Sequence, residues 1–432
     1  MSDYLNRRDF LKSGAIIALG MAAPPWLARI AKADMLRLAA GGKVDPDNTL
    51  VVCQLTGGND GLNTLIPWAD ANYYRLRPTL AIPEASVLKL NDRLGLHPGM
   101  SGLQELLKAG KAAIVQNVGY PNPNRSHFRS MEIWQTANPD RREQYGWLGK
   151  YLDHQVQKGS SNPVIALELS RSKSAAFNAR QASVPCFASV ADVKSLIGDP
   201  DSERLLREVQ GMDAPAGTGT SAVQKATKSA LDAMSELNKS LGTYTSKFVY
   251  GSDQFGQGFK QIAQLIATSP KTRVVYLSGG GFDTHSRQST QHEVLLKGFS
   301  SGLKTFMDEM QSIGKSDKVT ILVFSEFGRR VAENASSGTD HGAAAPMFVV
   351  GGQVKGGIVG PNPDLADLER GDLKWHVDFR QVYSTVLDRW MGADSATIFA
   401  RKFDHVDIFQ SAERREGPGR AATPGLLTRT AL

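Results

Sequence analysis

Cysteine is scarce in this sequence: Cys53 and Cys186 are the only two in 432 residues. A framework of several disulfides is therefore excluded, and no cysteine pair stands at zinc-ligand spacing. Cys53 lies in the apolar run Leu50-Val51-Val52-Cys53, which reads as a buried strand, so free thiols are expected rather than a bridge. Charge of one sign is also lacking. Lys and Arg number 50 against 43 Asp and Glu, a formal net charge of +7 with no basic run. That balance does not argue for a nucleic-acid partner. Long hydrophobic runs are missing too. No segment reaches the roughly 20 apolar residues that a bilayer span needs, so no membrane span is expected in the mature chain.

What is present begins at the N-terminus. Asn6-Arg7-Arg8-Asp9-Phe10-Leu11-Lys12 precedes an apolar stretch over 15–23 and then Ala31-Lys32-Ala33. A charged head, an apolar middle and a small-x-small site in that order form an export signal. Paired arginines followed by Phe-Leu-Lys mark it as a twin-arginine signal. Residues 1–33 are thus expected to be read by the Tat translocase and removed, leaving Asp34 first in a periplasmic or secreted protein. The segment holds five Lys/Arg and two acids, so its loss lowers the formal charge of +7 by three, to +4.

In the remainder, short β-rich runs alternate with helical patterns. Candidate strands are 49–55, 112–118, 163–169, 273–277, 319–324 and 346–351; candidate helices include 99–108, 127–137, 258–267, 291–313 and 379–390. This alternation predicts an α/β domain over 34–412, with a central, mostly parallel sheet sandwiched by helices. Several strands are continuous apolar runs, as strands covered on both faces should be. The stretch 170–250 is polar and broken by Ala214-Pro215-Ala216-Gly217, and reads as a helical insertion; 413–432, rich in Gly, Pro, Arg and Thr, reads as a loose tail. No internal repeat is visible.

Acids and histidines gather beside the candidate strands. Asp60 follows the first, Arg125-Ser126-His127 the second, Asp283-Thr284-His285 the fourth and Glu326-Phe327-Gly328-Arg329 the fifth, while Asp340-His341 precedes the sixth. Sites in parallel α/β sheets form outside the carboxyl ends of strands, so these segments are expected to converge. Oxygen from Asp60, Asp283, Glu326 and Asp340 with nitrogen from His127, His285 and His341 suits one or two divalent metal ions. Each segment alone has a plainer reading. Asp60 between Asn59 and Gly61 is a common turn residue, Glu326 is able to pair with Arg329, and Ser126 is a helix N-cap.

Taken together, Gly57-Gly58-Asn59-Asp60-Gly61, Ser126-His127-Phe128, Phe282-Asp283-Thr284-His285, Ser325-Glu326-Phe327-Gly328-Arg329 and Asp340-His341-Gly342 resemble an exported bacterial family known as domain of unknown function 1501. That family is a branch of the alkaline phosphatase and sulfatase superfamily. The resemblance implies an alkaline-phosphatase-like fold, with Asp60 as a first-metal aspartate and Ser126 as the nucleophile. It implies Asp283, His285 and His341 as ligands, and Glu326 closing the first site. Glu326-Phe327 stands where Asp-His is usual, and His127 is the candidate for the missing imidazole. No Cys-x-Pro-x-Arg stands near Ser126, which argues against a formylglycine nucleophile. The metal is left open among Zn, Mn, Ca and Mg.

The expected function is an exported, metal-dependent hydrolase of a small anionic phosphate or sulfate ester. Arg125 and Arg329 are candidates for gripping the anion by bidentate hydrogen bonds. A transferase on the same chemistry, or a non-catalytic exported scaffold on the same fold, are the alternatives. N-terminal sequencing of exported protein is expected to begin at Asp34, and replacing both Arg7 and Arg8 with Lys is expected to stop export. A secreted chain that still begins at residue 1 contradicts this.

Overall fold

Why short apolar runs become strands is clear from their surroundings, which cover both faces of one sheet. The computed structural model describes 45–187 apart from 46 and 171, 244–410 apart from 269–270, and scattered positions between 201 and 237. The expected signal over 1–33, most of the expected insertion over 170–250 and the expected tail over 413–432 lie outside the described residues. Asp45–Phe409 forms one compact unit.

The main sheet contains β1 (Thr49–Leu55), β2 (Ala112–Gly119), β3 (Ala166–Leu169), β4 (Cys186–Phe187), β5 (Val274–Gly279), β6 (Val319–Phe324), β7 (Ala345–Gly351), β8 (Gly357–Val359) and β9 (Val377–Asp378). The strand order is β8-β2-β7-β6-β1-β5-β3-β4, and β9 also pairs with β2. All pairings are parallel except the two that β7 makes with β2 and β6. Register aligns Leu55 with Gly279, Gln54 with Phe324, and Ala345 with Val118. Because β7 runs backwards, its first residue lies at the edge where its neighbours end. The segment before β7 therefore joins the loops that follow β1, β2, β5 and β6.

Helices α1 (Ser101–Lys108), α2 (His127–Thr136), α3 (Trp147–Gln157), α4 (Gln254–Thr268), α5 (Gln288–Ser312) and α6 (Phe379–Thr385) pack on this sheet. On one face, Val51, Cys53, Val275, Ile321 and Val323 meet Leu103 of α1, Phe259 of α4 and Phe299 of α5. On the other, Leu50, Val52, Val274, Leu322 and Phe324 meet Trp134 of α2, Trp147 of α3 and Tyr383 of α6. Consecutive strand residues alternate between these two cores, as the two-residue period of a strand demands. Both sides are apolar, so no polar alternation survives in the sequence. Cys53 is buried and Cys186 half-buried, and both thiols are free.

Glu168 is the exception inside β3. Its carboxylate accepts the Ser174 backbone N–H at 3.1 and 2.9 Å, and its side chain is buried. Burial raises its pKa from the ordinary 4.5 to about 7, against the smaller lowering effect of the Ser174 bonds. The fold therefore holds this proton more tightly than the unfolded chain does. The contribution of Glu168 to stability is most favourable below about pH 4.5 and falls as pH rises to about 7. Glu168→Gln is expected to leave stability unchanged at pH 4.5 and to raise it by about 2–3 kcal/mol at pH 8, read by chemical denaturation. A stability difference that is the same at both pH values contradicts this.

Candidate metal centre

Three imidazoles meet one carboxylate at the sheet edge just described. Asp283 follows β5, His341 precedes β7, His127 opens α2 after β2, and His285 lies two residues beyond Asp283. Ligand atoms of His127, Asp283 and His341 all lie within 4.8 Å of one another. His341 Nε2 is 3.1 Å from Asp283 Oδ1, and His285 Nε2 is 3.0 Å from the same oxygen. His285 Nε2 and His341 Nε2 are 2.9 Å apart. His127 Nε2 is 3.4 Å from Asp283 Oδ2, yet it is buried and makes no hydrogen bond.

Each ring is held from behind by a different acceptor. His127 Nδ1 bonds Glu326 Oε1 at 3.0 Å, His285 Nδ1 bonds Asp340 Oδ1 at 3.2 Å, and His341 Nδ1 bonds the Arg125 carbonyl at 2.8 Å. A carbonyl or ionised carboxylate oxygen only accepts, so each Nδ1 carries a hydrogen and Nε2 is the atom each ring can offer a metal; a ring that also donates from Nε2, as His341 does to Asp283 Oδ1, would give up that hydrogen to the ion. Metal-bound histidines are oriented in this way. Two Nε2 atoms facing at 2.9 Å repel when both carry lone pairs or both carry hydrogens, and are at ease only with a cation or a single shared proton between them. The buried, unpartnered His127 Nε2 has the same need. The residues therefore fit a metal ion: separations of 2.9–3.1 Å between donors are near the about 3.3 Å expected around a tetrahedral ion with bonds of 2.0–2.1 Å.

The charges agree. Burial raises the Asp283 pKa, but hydrogen bonds from Arg329 and His341 outweigh it and hold the carboxyl down at about 2. The Glu326 bond raises His127, and burial only partly offsets that. Phe327 packs its ring on those of His127 and His341, at 4.9 and 4.5 Å between centroids. That wall restricts both imidazoles and keeps water from their faces.

Other residues expected at the site sit elsewhere in the network. Asp60 does not face the imidazoles. It caps the short helix Gly61–Thr64, and its Oδ2 takes Arg77 NH1 at 2.6 Å and Gln288 Nε2 at 2.5 Å. Both partners of the Arg77–Asp60 pair are fully buried. Glu326 is likewise buried, and its Oε1 also accepts the Gly57 N–H at 2.8 Å, which makes it an orienter of His127. Arg329 cannot grip a substrate. Its side chain has no exposure, and it donates to the carbonyls of Gly58, Thr339, Gly57 and Phe282 and to Asp283 Oδ1. Asp340 is exposed and also accepts from Asn334 Nδ2 at 3.2 Å.

Ser126 lies between Arg125, whose carbonyl holds His341, and His127. It is the N-cap of α2, exposed, and its hydroxyl makes no capping bond. Arg125 is 37% exposed and ion-paired with buried Asp372. Arg77, Gln288, Asn334 and Asp372 were invisible as functional residues. Each lies in an ordinary polar or helical stretch and acquires its role only from a partner distant in sequence.

A three-layer α/β fold with a histidine–carboxylate cluster at one sheet edge thus defines the class. The chain belongs to the family described as "Protein of unknown function (DUF1501)", whose model matches residues 47–405. No curated protein matches the chain. Similar solved structures include the C-terminal periplasmic domain of EcEptC from Escherichia coli in complex with Zn, at 9% identity and TM-score 0.35, covering 72% of this chain and 74% of that one. Another is a protein in the alkaline phosphatase superfamily from Vibrio parahaemolyticus, at 12% identity and TM-score 0.34, covering 74% of this chain and 62% of that one. A third is the PsFucS1 sulfatase from Pseudoalteromonas sp., at 11% identity and TM-score 0.37, covering 89% and 75%.

Gly57 shows how tightly the loops are pressed. Its φ is +120°, and a Cβ there would lie 2.4 Å from the Asp283 backbone nitrogen. Gly57→Ala is expected to displace Asp283, weakening zinc binding by about 10–100-fold in equilibrium dialysis and costing about 1–3 kcal/mol of stability. Unchanged zinc affinity in a folded variant contradicts the placement.

Proposed function

We propose that this chain is a metal-dependent enzyme that cleaves or transfers a phosphate or sulfate ester outside the cytoplasm. The observation that carries the reading is the set of three histidines, each anchored through Nδ1, whose Nε2 atoms converge on Asp283, with Ser126 the residue before His127 in the chain. His127, His285, His341 and Asp283 are the residues that would hold the ion. Three imidazoles and one carboxylate favour a zinc-like ion over magnesium or calcium. When bound, such an ion supplies a Lewis acid that polarises the ester oxygen and lowers the pKa of a nearby hydroxyl.

The chain's own residues do the rest. Ser126 presents its hydroxyl at the start of the ten-residue α2, where first-turn backbone N–H groups and the helix dipole favour a transferring anion. Arg125, the residue before Ser126 and steadied by Asp372, offers a partly exposed guanidinium for the ester's remaining oxygens. Phe128, 86% exposed, offers an apolar surface beside them for the organic part of the ester. Glu326 keeps the His127 ring from turning, and the Arg125 carbonyl does the same for His341. The twin-arginine segment, Arg7-Arg8 followed by Phe10-Leu11-Lys12, supports export, and no helix among the described residues is long and apolar enough to cross a membrane.

Zinc-reconstituted protein is expected to turn over at least one of an aryl phosphate, a phosphodiester or an aryl sulfate. Ser126→Ala is expected to keep its zinc and lose at least about 10³-fold in kcat. Turnover that survives this substitution removes Ser126 as the nucleophile. Protein that binds metal yet turns over none of these esters is what a non-catalytic scaffold would give.

A further inference from the structure

We infer that the centre takes one cation per chain, and that the guanidinium of Arg77 closes Asp60 to a second. The inference rests on the reading of the histidine cluster as a metal centre. It answers a question the sequence leaves open, because its seven metal-capable side chains are enough for two ions.

The folded chain divides those seven unequally. Asp60 Oδ1 accepts the N–H groups of Leu62 and Asn63 at 3.2 and 3.3 Å, and Oδ2 accepts from Arg77 and Gln288. A carboxylate has about four lone-pair sites, so none is left for a metal. Arg77 cannot swing aside to free one. Its NH1 also donates to Asn63 Oδ1 at 2.7 Å, its Nε to the Val331 carbonyl at 2.8 Å and its NH2 to the Arg330 carbonyl at 2.9 Å. Both side chains are fully buried, and their charges already cancel. A divalent ion placed beside this pair would meet a fixed positive charge in a region of low dielectric, whereas Asp283, which Arg329 touches, is about half exposed and screened by solvent. Gln288 extends the lock, since its Oε1 accepts from the hydroxyls of Thr284 and Thr339, neighbours of Asp283 and Asp340.

Glu326 is engaged chiefly through one oxygen, Oε1, its Oε2 meeting Ser325 Oγ at 3.4 Å. Its Oε1 takes both Gly57 N–H and His127 Nδ1, and the side chain has no exposure. Asp340 spends its Oδ1 on His285 and Asn334 and faces outward. What remains is one mutually close group, the Nε2 atoms of His127 and His341 with the carboxylate of Asp283, and His285 Nε2 adjoining its Asp283 and His341 side. Two ions about 4 Å apart would share a carboxylate and need further donors on each side. The described residues place no such second set there.

The test uses the full chain, stripped with chelator, reloaded separately with Zn(II) and with Co(II), and desalted. Elemental analysis is expected to give one zinc per chain, and the Co(II) form is expected to show the EPR signal of an isolated high-spin ion. Asp60→Asn, if it folds, is expected to keep one zinc, and Asp283→Asn to lose it. Two zinc ions per chain with a spin-coupled Co(II) pair would overturn the single-ion inference and leave the metal centre standing. Protein that retains no metal overturns the metal centre, and this inference with it. The wild-type stoichiometry decides the matter even where a variant fails to fold.

Discussion

The site depends on the buried guanidinium of Arg329. Its side chain reaches no solvent, and its N–H groups are spent on four carbonyls from three separate loops and on Asp283. Those loops follow β1, follow β5 and precede β7. A buried charge left without partners is costly, so the fold closes only when all three loops come to it. Asp283 is the one carboxylate that Arg329 touches, and the imidazoles arrange themselves around that acid. The same residues that finish the sheet edge therefore also build the cluster.

Around that clamp, the chain uses acceptors of three kinds to aim three rings. A buried glutamate holds His127, an exposed aspartate holds His285, and a backbone carbonyl holds His341. These anchors differ in how firmly they grip. Glu326 is fixed by Gly57 N–H as well, whereas Asp340 stands in solvent with Asn334 as its support. The cluster is thus buried at the His127 anchor and exposed at the His285 anchor. Ser126 is exposed and stands in the chain between Arg125 and His127, both of which contact the cluster.

Much of the fold was legible because burial on both faces leaves a plain signature. The runs 49–55 and 319–324 coincide with β1 and β6, and the run at 346–351 falls short of β7 by one residue. The reversal of β7 was not legible, since an apolar run has no direction. Yet that reversal alone brings His341 to the same edge as Asp283. The acids show the same limit. Asp60, Asp283 and Glu326 look alike in sequence, each following a strand near glycine. Folding gives Asp60 to Arg77, Glu326 to His127 and only Asp283 to the centre. Arg329 read as an anion grip because arginine beside a strand end commonly serves that purpose. Burial turned it into a clamp instead. Pairings over 17 residues, as between Asp60 and Arg77, or over 228, as between Asp60 and Gln288, are written in the tertiary structure and leave no local pattern.

The central claim is that three imidazoles and one carboxylate grip a divalent cation. X-ray absorption at the zinc edge of the reloaded protein tests it most directly. The account predicts a first shell of nitrogen and oxygen at about 2.0–2.1 Å with the outer-shell scattering of three imidazole rings. A shell of oxygen alone, with no imidazole scattering, would contradict it.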